Sequence, residues 1–128
     1  MTSRIGFIGV GLMGHGMAKC LIEKGHALTI LGHRNRAPVD DLVRRGAREA
    51  ASAAAVAKSS DIVFLCVTGS PQVEAVVHGK HGLLENARQG LIVVDTSTAE
   101  PDSTARIRKE FVARGAEFVD APLGRTPK

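Results

Sequence analysis

Short, continuously apolar runs alternate along the chain with segments in which apolar residues recur at helical spacing. Strands without polar alternation, separated by crossover helices, are typical of a parallel sheet that is covered on both faces. The runs predict six strands, at about residues 4–10, 27–31, 47–49, 61–67, 91–95 and 117–119. We therefore expect an α/β, doubly wound fold with a mainly parallel six-stranded sheet in the order 3-2-1-4-5-6.

Local signals support the predicted helices. Gly25, Gly46 and Gly115 each follow an apolar-periodic segment, at the position where a left-handed helix cap favours glycine. An alanine run over residues 50–57 predicts a small helix that packs closely on the sheet.

Length and cysteine usage narrow the class of protein. A chain of 128 residues is expected to form one domain, over residues 1–128. Cys20 and Cys66 lie inside apolar runs, which predicts buried free thiols and a cytoplasmic setting. We expect no leader and no membrane span, because the sequence has no charged segment followed by an apolar one at its start and no apolar run of about 20 residues. We expect no metal site, because CxxC and HxxxH spacings do not occur.

The charge balance points to a small anionic partner. The formal net charge is +4, but the chain has no Trp or Tyr and only four Phe to stack on bases. We therefore expect a phosphate-bearing small molecule, and neither nucleic acid nor a membrane, as the partner.

Gly9, Gly11 and Gly14 form a GxGxxG motif that follows the first strand and opens a helix. In such a βαβ unit the first glycine permits a tight turn and the second lets backbone amides approach a pyrophosphate. The third lets the helix pack on the strand. This context predicts a Rossmann domain that binds a dinucleotide, with the pyrophosphate at the helix N-terminus.

The segment after the second strand bears on the choice of cofactor. NAD sites usually carry an acid there for the ribose hydroxyls, and this sequence has none. The segment is instead basic and amide-bearing, and consists of His33, Arg34, Asn35 and Arg36. It favours NADP(H) over NAD(H), because guanidinium groups bind a 2′-phosphate well. The alternative is that these arginines are solvated surface residues.

Two further loops are predicted at the carboxyl ends of the strands, where ligands bind in such folds. The loop 67–71, with Val73 on the next helix, is expected to contact the adenosine half, and Ser70 could at the same time serve as a helix cap. Ser97 and Glu100 have capping-box spacing, which indicates a structural role for Ser97 as a helix cap. The alternative is a functional role for Ser97 near the nicotinamide.

The glycine segment over 6–26, the DTSTAEP segment over 95–101 and the FVDAP segment over 118–122 together resemble the β-hydroxyacid dehydrogenase family. That family includes 3-hydroxyisobutyrate dehydrogenase and tartronate semialdehyde reductase and is related to 6-phosphogluconate dehydrogenase. The resemblance implies an NAD(P)-dependent oxidoreductase that transfers hydride between the nicotinamide and a small 3-hydroxy acid or its semialdehyde. It implies cofactor contacts at Gly9, Val10, Gly11, Leu12, Met13, Gly14, Val67, Thr68, Val73 and Thr98.

The sequence departs from the family after the FVDAP segment. The family usually has a serine and glycines after the DAP segment to hold the substrate carboxylate, whereas this chain has Gly124 and Arg125. With Ser97, these are the candidate substrate-binding residues, and Arg125 could pair with a carboxylate. The resemblance also implies a catalytic lysine on a helical second domain, which we expect to lie beyond residue 128, so that these residues include no catalytic residue.

We therefore expect the chain alone to bind cofactor without turnover, and the parent protein to be the enzyme and a homo-oligomer. Two alternatives stay open. One is the cofactor domain of an imine reductase, and the other is a non-catalytic module that senses NADP(H).

Overall fold

The structure is a computed structural model and describes residues 4–9, 12–32, 36–67, 69–97 and 100–121. Six strands form one sheet in the order β3-β2-β1-β4-β5-β6, and every neighbouring pair is parallel. The strands are β1 (Arg4–Ile8), β2 (Ala27–Leu31), β3 (Arg48–Ala50), β4 (Ile62–Leu65), β5 (Ile92–Asp95) and β6 (Glu117–Asp120). The predicted fold class and strand order are confirmed.

Five α-helices connect the strands: α1 (Leu12–Glu23), α2 (Arg36–Arg44), α3 (Ala53–Lys58), α4 (Ser70–His78) and α5 (Pro101–Val112). A short 3-10 helix over Leu83–Asn86, which the sequence pattern did not predict, lies between α4 and β5. Across the described ranges, none of the helices is long and apolar enough to span a bilayer.

The direction of the crossovers decides which face each helix covers. Connections between parallel strands are right-handed, so reversing the direction of travel along the sheet moves the helix to the other face. The connections that run outward to β3 place α1 and α2 on one face, above a core that includes Phe7, Ile30 and Leu42. The connections that run towards β6 place α3, α4 and α5 on the other face, above a core that includes Val63 and Phe111.

The alanine-rich helix α3 lies very close to the sheet, as predicted. A Cβ on Gly6, in the middle of β1, would lie 2.5 Å from Cγ1 of Val56 and 2.6 Å from Oγ of Ser60. Ser60 also donates a hydrogen bond from its hydroxyl to the carbonyl of Val56 at 2.6 Å. Small residues on both the strand and the helix therefore set this spacing.

The predicted helix caps are confirmed, since Gly25, Gly46 and Gly115 all have positive φ. The prediction that both thiols are buried is wrong for Cys20, which is exposed, whereas Cys66 is half-buried. The cause is the orientation of α1, because its buried residue Ala18 lies on the sheet side and Cys20 projects from the outer face. Both cysteines are free.

Candidate cofactor site

Gly9 and Gly14, the first and third glycines of the motif, have the close backbone contacts that the motif predicts. Gly9 has φ of 100°, a left-handed conformation, and a Cβ there would lie 2.1 Å from the carbonyl oxygen of Cys66. A Cβ on Gly14 would lie 1.9 Å from the carbonyl oxygen of Gly9 and 3.1 Å from the ring of Phe7. Both positions therefore require glycine, and α1 begins directly beyond the carboxyl end of β1.

Many of the predicted contact residues lie outside the described residues. These are Val10, Gly11, His33, Arg34, Asn35, Thr68, Thr98, Gly124 and Arg125, together with the side chains of Leu12 and Met13. Their roles stay predictions.

Arg36, the last residue of the predicted segment 33–36, lies in a helix and forms an ion pair. It is the first residue of α2, and its Nη1 and Nη2 donate to Oε2 and Oε1 of Glu49 in β3, both at 2.8 Å. Asp40, one turn along α2, lies 3.6 Å from Nη2 of the same guanidinium. The hydrogen bonds with Glu49 raise the pKa of Arg36, and those with Arg36 lower the pKa of Glu49, so both groups stay charged.

The loop after β5 is hydrogen-bonded to the exit of β4. Thr96 donates to the carbonyl oxygen of Leu65 from its backbone nitrogen at 2.8 Å and from its hydroxyl at 2.5 Å. The Oγ of Ser97 accepts a hydrogen bond from the backbone nitrogen of Val67 at 2.8 Å. These bonds bring Ser97 and Val67, both predicted site residues, together at the carboxyl edge of the sheet.

The capping roles considered for Ser70 and Ser97 are wrong in detail. Helix α5 begins at Pro101 and its N-cap is Glu100, so Ser97 lies too far upstream to cap it. Helix α4 has Gly69 as its N-cap, and Oγ of Ser70 instead accepts a hydrogen bond from the backbone nitrogen of Glu100 at 2.7 Å. The two loops are therefore tied to each other across the sheet edge.

An open groove of about 700 Å³ lies beside this junction, between the first turns of α4 and α5. Its lining residues are Ser70, Pro71, Glu74, Glu100, Pro101, Ser103 and Arg106. Val73, a predicted cofactor contact on α4, is 1% exposed and packs in the core beneath these turns.

Asp95, the last residue of β5, is the most deeply buried charged residue among those described, with 0% exposure. Its Oδ1 accepts a hydrogen bond from the backbone nitrogen of Ser97 at 2.9 Å, and Oδ2 has no partner within the described part of the chain. Burial raises the pKa of this carboxyl, and the nearby charge of Asp120 raises it further. Asp95 thus holds the loop that carries Ser97.

Neither Asp95 nor Glu49 is predicted as a site residue from the sequence. The acid that ends the apolar run over 91–95 was a usable signal for Asp95, because a charge in line with buried strand residues must be accommodated at the sheet edge. No local signal marks Glu49, since its contact depends on the register between β2 and β3. Among the described residues, no group of three or more His, Cys, Asp or Glu side chains could hold a metal ion.

The parallel sheet, its strand order and the glycine turn define a dinucleotide-binding Rossmann domain. The family model for the NAD-binding domain of 6-phosphogluconate dehydrogenase matches residues 4–127. The chain belongs to this family.

Two relatives are similar to nearly the whole of this chain. The 2-hydroxy-3-oxopropionate reductase of Escherichia coli K12 is 37% identical over 123 residues, covering 94% of this chain and 40% of that protein. The cytokine-like nuclear factor N-PAC of Xenopus tropicalis is 35% identical over 120 residues, covering 94% of this chain and 22% of that protein.

A solved structure of Psf3 in complex with NADP+ and 2-OPP matches with a TM-score of 0.86 and 32% identity, covering 94% of this chain and 43% of that chain. The chain thus spans less than half the length of these relatives. The resemblance inferred from the three sequence motifs is confirmed.

Proposed function

We propose that this chain is the cofactor-binding half of a nicotinamide-dependent oxidoreductase that acts on a small 3-hydroxy acid or its semialdehyde. The observation that carries the proposal is the glycine turn, in which Gly14 touches the backbone of Gly9 at the start of α1. This packing leaves the first backbone amides of α1 directed at the carboxyl edge of the sheet, where a pyrophosphate binds in such folds. Family membership supports the same cofactor class.

NADP(H) is the proposed preferred cofactor, with NAD(H) as the alternative. The solved structure of Psf3, which is 32% identical to this chain, is a complex with NADP+. In this chain the segment 33–36 contains two arginines, whose charge suits a 2′-phosphate. Arg34 and Arg36 are the candidates for the 2′-phosphate, and Arg36 is partly neutralised by Glu49.

The proposed reaction divides its tasks between two domains. This chain would hold the nicotinamide near the substrate carbon, with Ser97 fixed by its hydrogen bond to Val67 and with Gly124 and Arg125 at the substrate carboxylate. A proton donor or acceptor at the substrate oxygen is also needed. By the family resemblance, a lysine of a further helical domain would supply it, and this chain alone would be inactive.

The experiment that tests cofactor binding is a calorimetric titration of the chain with NADPH and with NADH at one stated salt concentration. A matched pair of variants in the same turn and helix controls for folding. We expect Gly11→Ala to weaken binding by about tenfold or more, because a Cβ would stand between the backbone amides and the pyrophosphate. Gly16→Ala should leave binding unchanged, since a Cβ at Gly16 meets nothing within 4 Å.

A second assay distinguishes cofactor binding by this chain from catalysis that requires the further domain. The chain should bind NADPH and yet give no turnover with NADPH and tartronate semialdehyde, whereas the parent protein with its further domain should reduce it. Absence of binding to both cofactors would overturn the proposed function. Steady turnover by the chain alone would overturn the division of tasks.

A further inference from the structure

A carboxylate lies at the end of β2 although the sequence places no acid there. A Cβ on Gly32, the residue directly after β2, would lie 2.2 Å from Oε2 of Glu49 and 2.6 Å from Nη1 of Arg36. The Arg36–Glu49 ion pair therefore fills the space that a side chain of residue 32 would occupy. That position, about 20 residues beyond the glycine motif, is where NAD sites carry the acid that binds the ribose 2′-hydroxyl.

The sheet register explains how Glu49 reaches this position. Glu49 in β3 is paired with Ile30 in β2, and paired residues of neighbouring strands point to the same face. Ile30 is fully buried in the core beneath α1 and α2, so Glu49 also points to the face that α2 covers. Gly32, two residues after Ile30, lies on that face as well, and Arg36 meets both from the start of α2.

We propose that Arg36 and Glu49 act as opposing determinants of cofactor selectivity, with Arg36 favouring the 2′-phosphate of NADP(H) and Glu49 favouring the 2′-hydroxyl of NAD(H). This inference rests on the proposed function, because it requires that a dinucleotide binds along this edge. It assigns the selectivity to an ion pair between α2 and β3, and thus includes Glu49, a residue outside the segment 33–36.

The chemistry of the two ribose groups gives each residue a direction. A 2′-hydroxyl can donate a hydrogen bond to the Glu49 carboxylate, whereas a 2′-phosphate carries negative charge and is repelled by it. A guanidinium has five N–H donors, and the bidentate pair with Glu49 uses two of them. Arg36 can therefore donate to a phosphate from its other N–H groups, while Glu49 offsets its charge.

The test is the ratio of the dissociation constant for NADH to that for NADPH, measured by calorimetry on wild type, Arg36→Gln, Glu49→Gln and the double variant. Arg36→Gln should lower the ratio about tenfold, and Glu49→Gln should raise it about tenfold, as expected for gain or loss of one charge-assisted contact. The double variant should fall between the two single variants, and not at their sum, because the two side chains are in contact. A ratio taken on one protein is insensitive to a change in its folded fraction.

A second ion pair of the same kind serves as the control. Nη2 of Arg4 lies 3.0 Å from Oδ1 of Asp61 at the amino ends of β1 and β4, on the opposite edge of the sheet. Arg4→Gln and Asp61→Asn should leave the ratio unchanged.

The outcomes distinguish this inference from the proposed function. If wild type binds both cofactors and neither Arg36→Gln nor Glu49→Gln moves the ratio beyond about twofold, or both move it in the same direction, the inference is overturned and the proposed function stands. If wild type binds neither cofactor, the proposed function fails and the inference fails with it.

Discussion

Gly14 on α1 touches the backbone of Gly9 so closely that a Cβ on Gly14 would lie 1.9 Å from the Gly9 carbonyl oxygen. Because the obstacle is backbone, we expect Gly14→Ala to displace α1 from β1 and to destabilise the chain by about 2 kcal/mol or more. Gly16, two residues along the same helix, has open space around its Cβ position. Gly16→Ala should stabilise by about 0.5–1 kcal/mol, since glycine is unfavourable in a helix.

Urea unfolding of the two variants measures both effects. The opposite signs form the prediction, because the two substitutions are chemically identical and differ only in what the added methyl group meets. Equal effects of the two substitutions would mean that helix propensity alone, and not the contact with Gly9, governs this turn.

The sequence pattern was sufficient for the fold because each strand and helix is specified by local chemistry. Continuous apolar runs marked the strands, and glycines with positive φ ended the helices where the periodicity stopped. The boundaries moved at some strand ends. The first strand, predicted over residues 4–10, ends at Ile8 because Gly9 has the left-handed conformation that begins the turn.

The site was less predictable because its contacts join segments that are distant in the chain. Ser97 is bonded to Val67, and Ser70 to the backbone of Glu100, each across 30 residues. Local spacing suggested helix caps for both serines, since a capping motif and a cross-strand anchor use the same residue types. Only the register of β4 against β5 distinguishes the two roles.

His78 on α4 predicts a pH-dependent contribution to stability. Its Nδ1 lies 2.9 Å from Oε1 of Glu74 and its Nε2 lies 2.5 Å from Oε1 of Glu110 on α5. Only the protonated ring can donate from both nitrogens, and the hydrogen bond with Glu110 is the largest cause of its raised pKa. The stabilisation is therefore fully present below the unfolded-state pKa near 6.5 and is lost as pH rises through the folded-state pKa.

The measurement is the free energy of unfolding of wild type and His78→Gln between pH 5 and 9. Because the His78 side chain is 37% exposed, we expect the variant to be less stable by only about 0.5 kcal/mol at pH 6, with a smaller difference at pH 9. His81, whose side chain is 61% exposed, provides the control variant His81→Asn. A difference between His78→Gln and wild type that grows with pH would contradict the bridging role.

Asp95 predicts a substitution that stabilises the chain at neutral pH. In Asp95→Asn the amide oxygen can still accept the hydrogen bond from Ser97, while the buried negative charge is removed. Because burial raises the pKa of Asp95, folding favours its protonated form. The wild type therefore loses stability as pH rises from the unfolded-state pKa, near 3.9, through the folded-state pKa.

The stability difference between Asp95→Asn and wild type should accordingly be small in acid and should favour the variant at pH 7. Glu117→Gln is the control, because Glu117 also lies on β6 and is exposed. Urea unfolding at pH 4 and pH 7 measures both variants. If Asp95→Asn were the less stable protein at pH 7, the carboxylate would have to be ionised and hydrogen-bonded in the folded state. The negative charge of Asp95 would then strengthen its hydrogen bond with the backbone nitrogen of Ser97 and stabilise the fold.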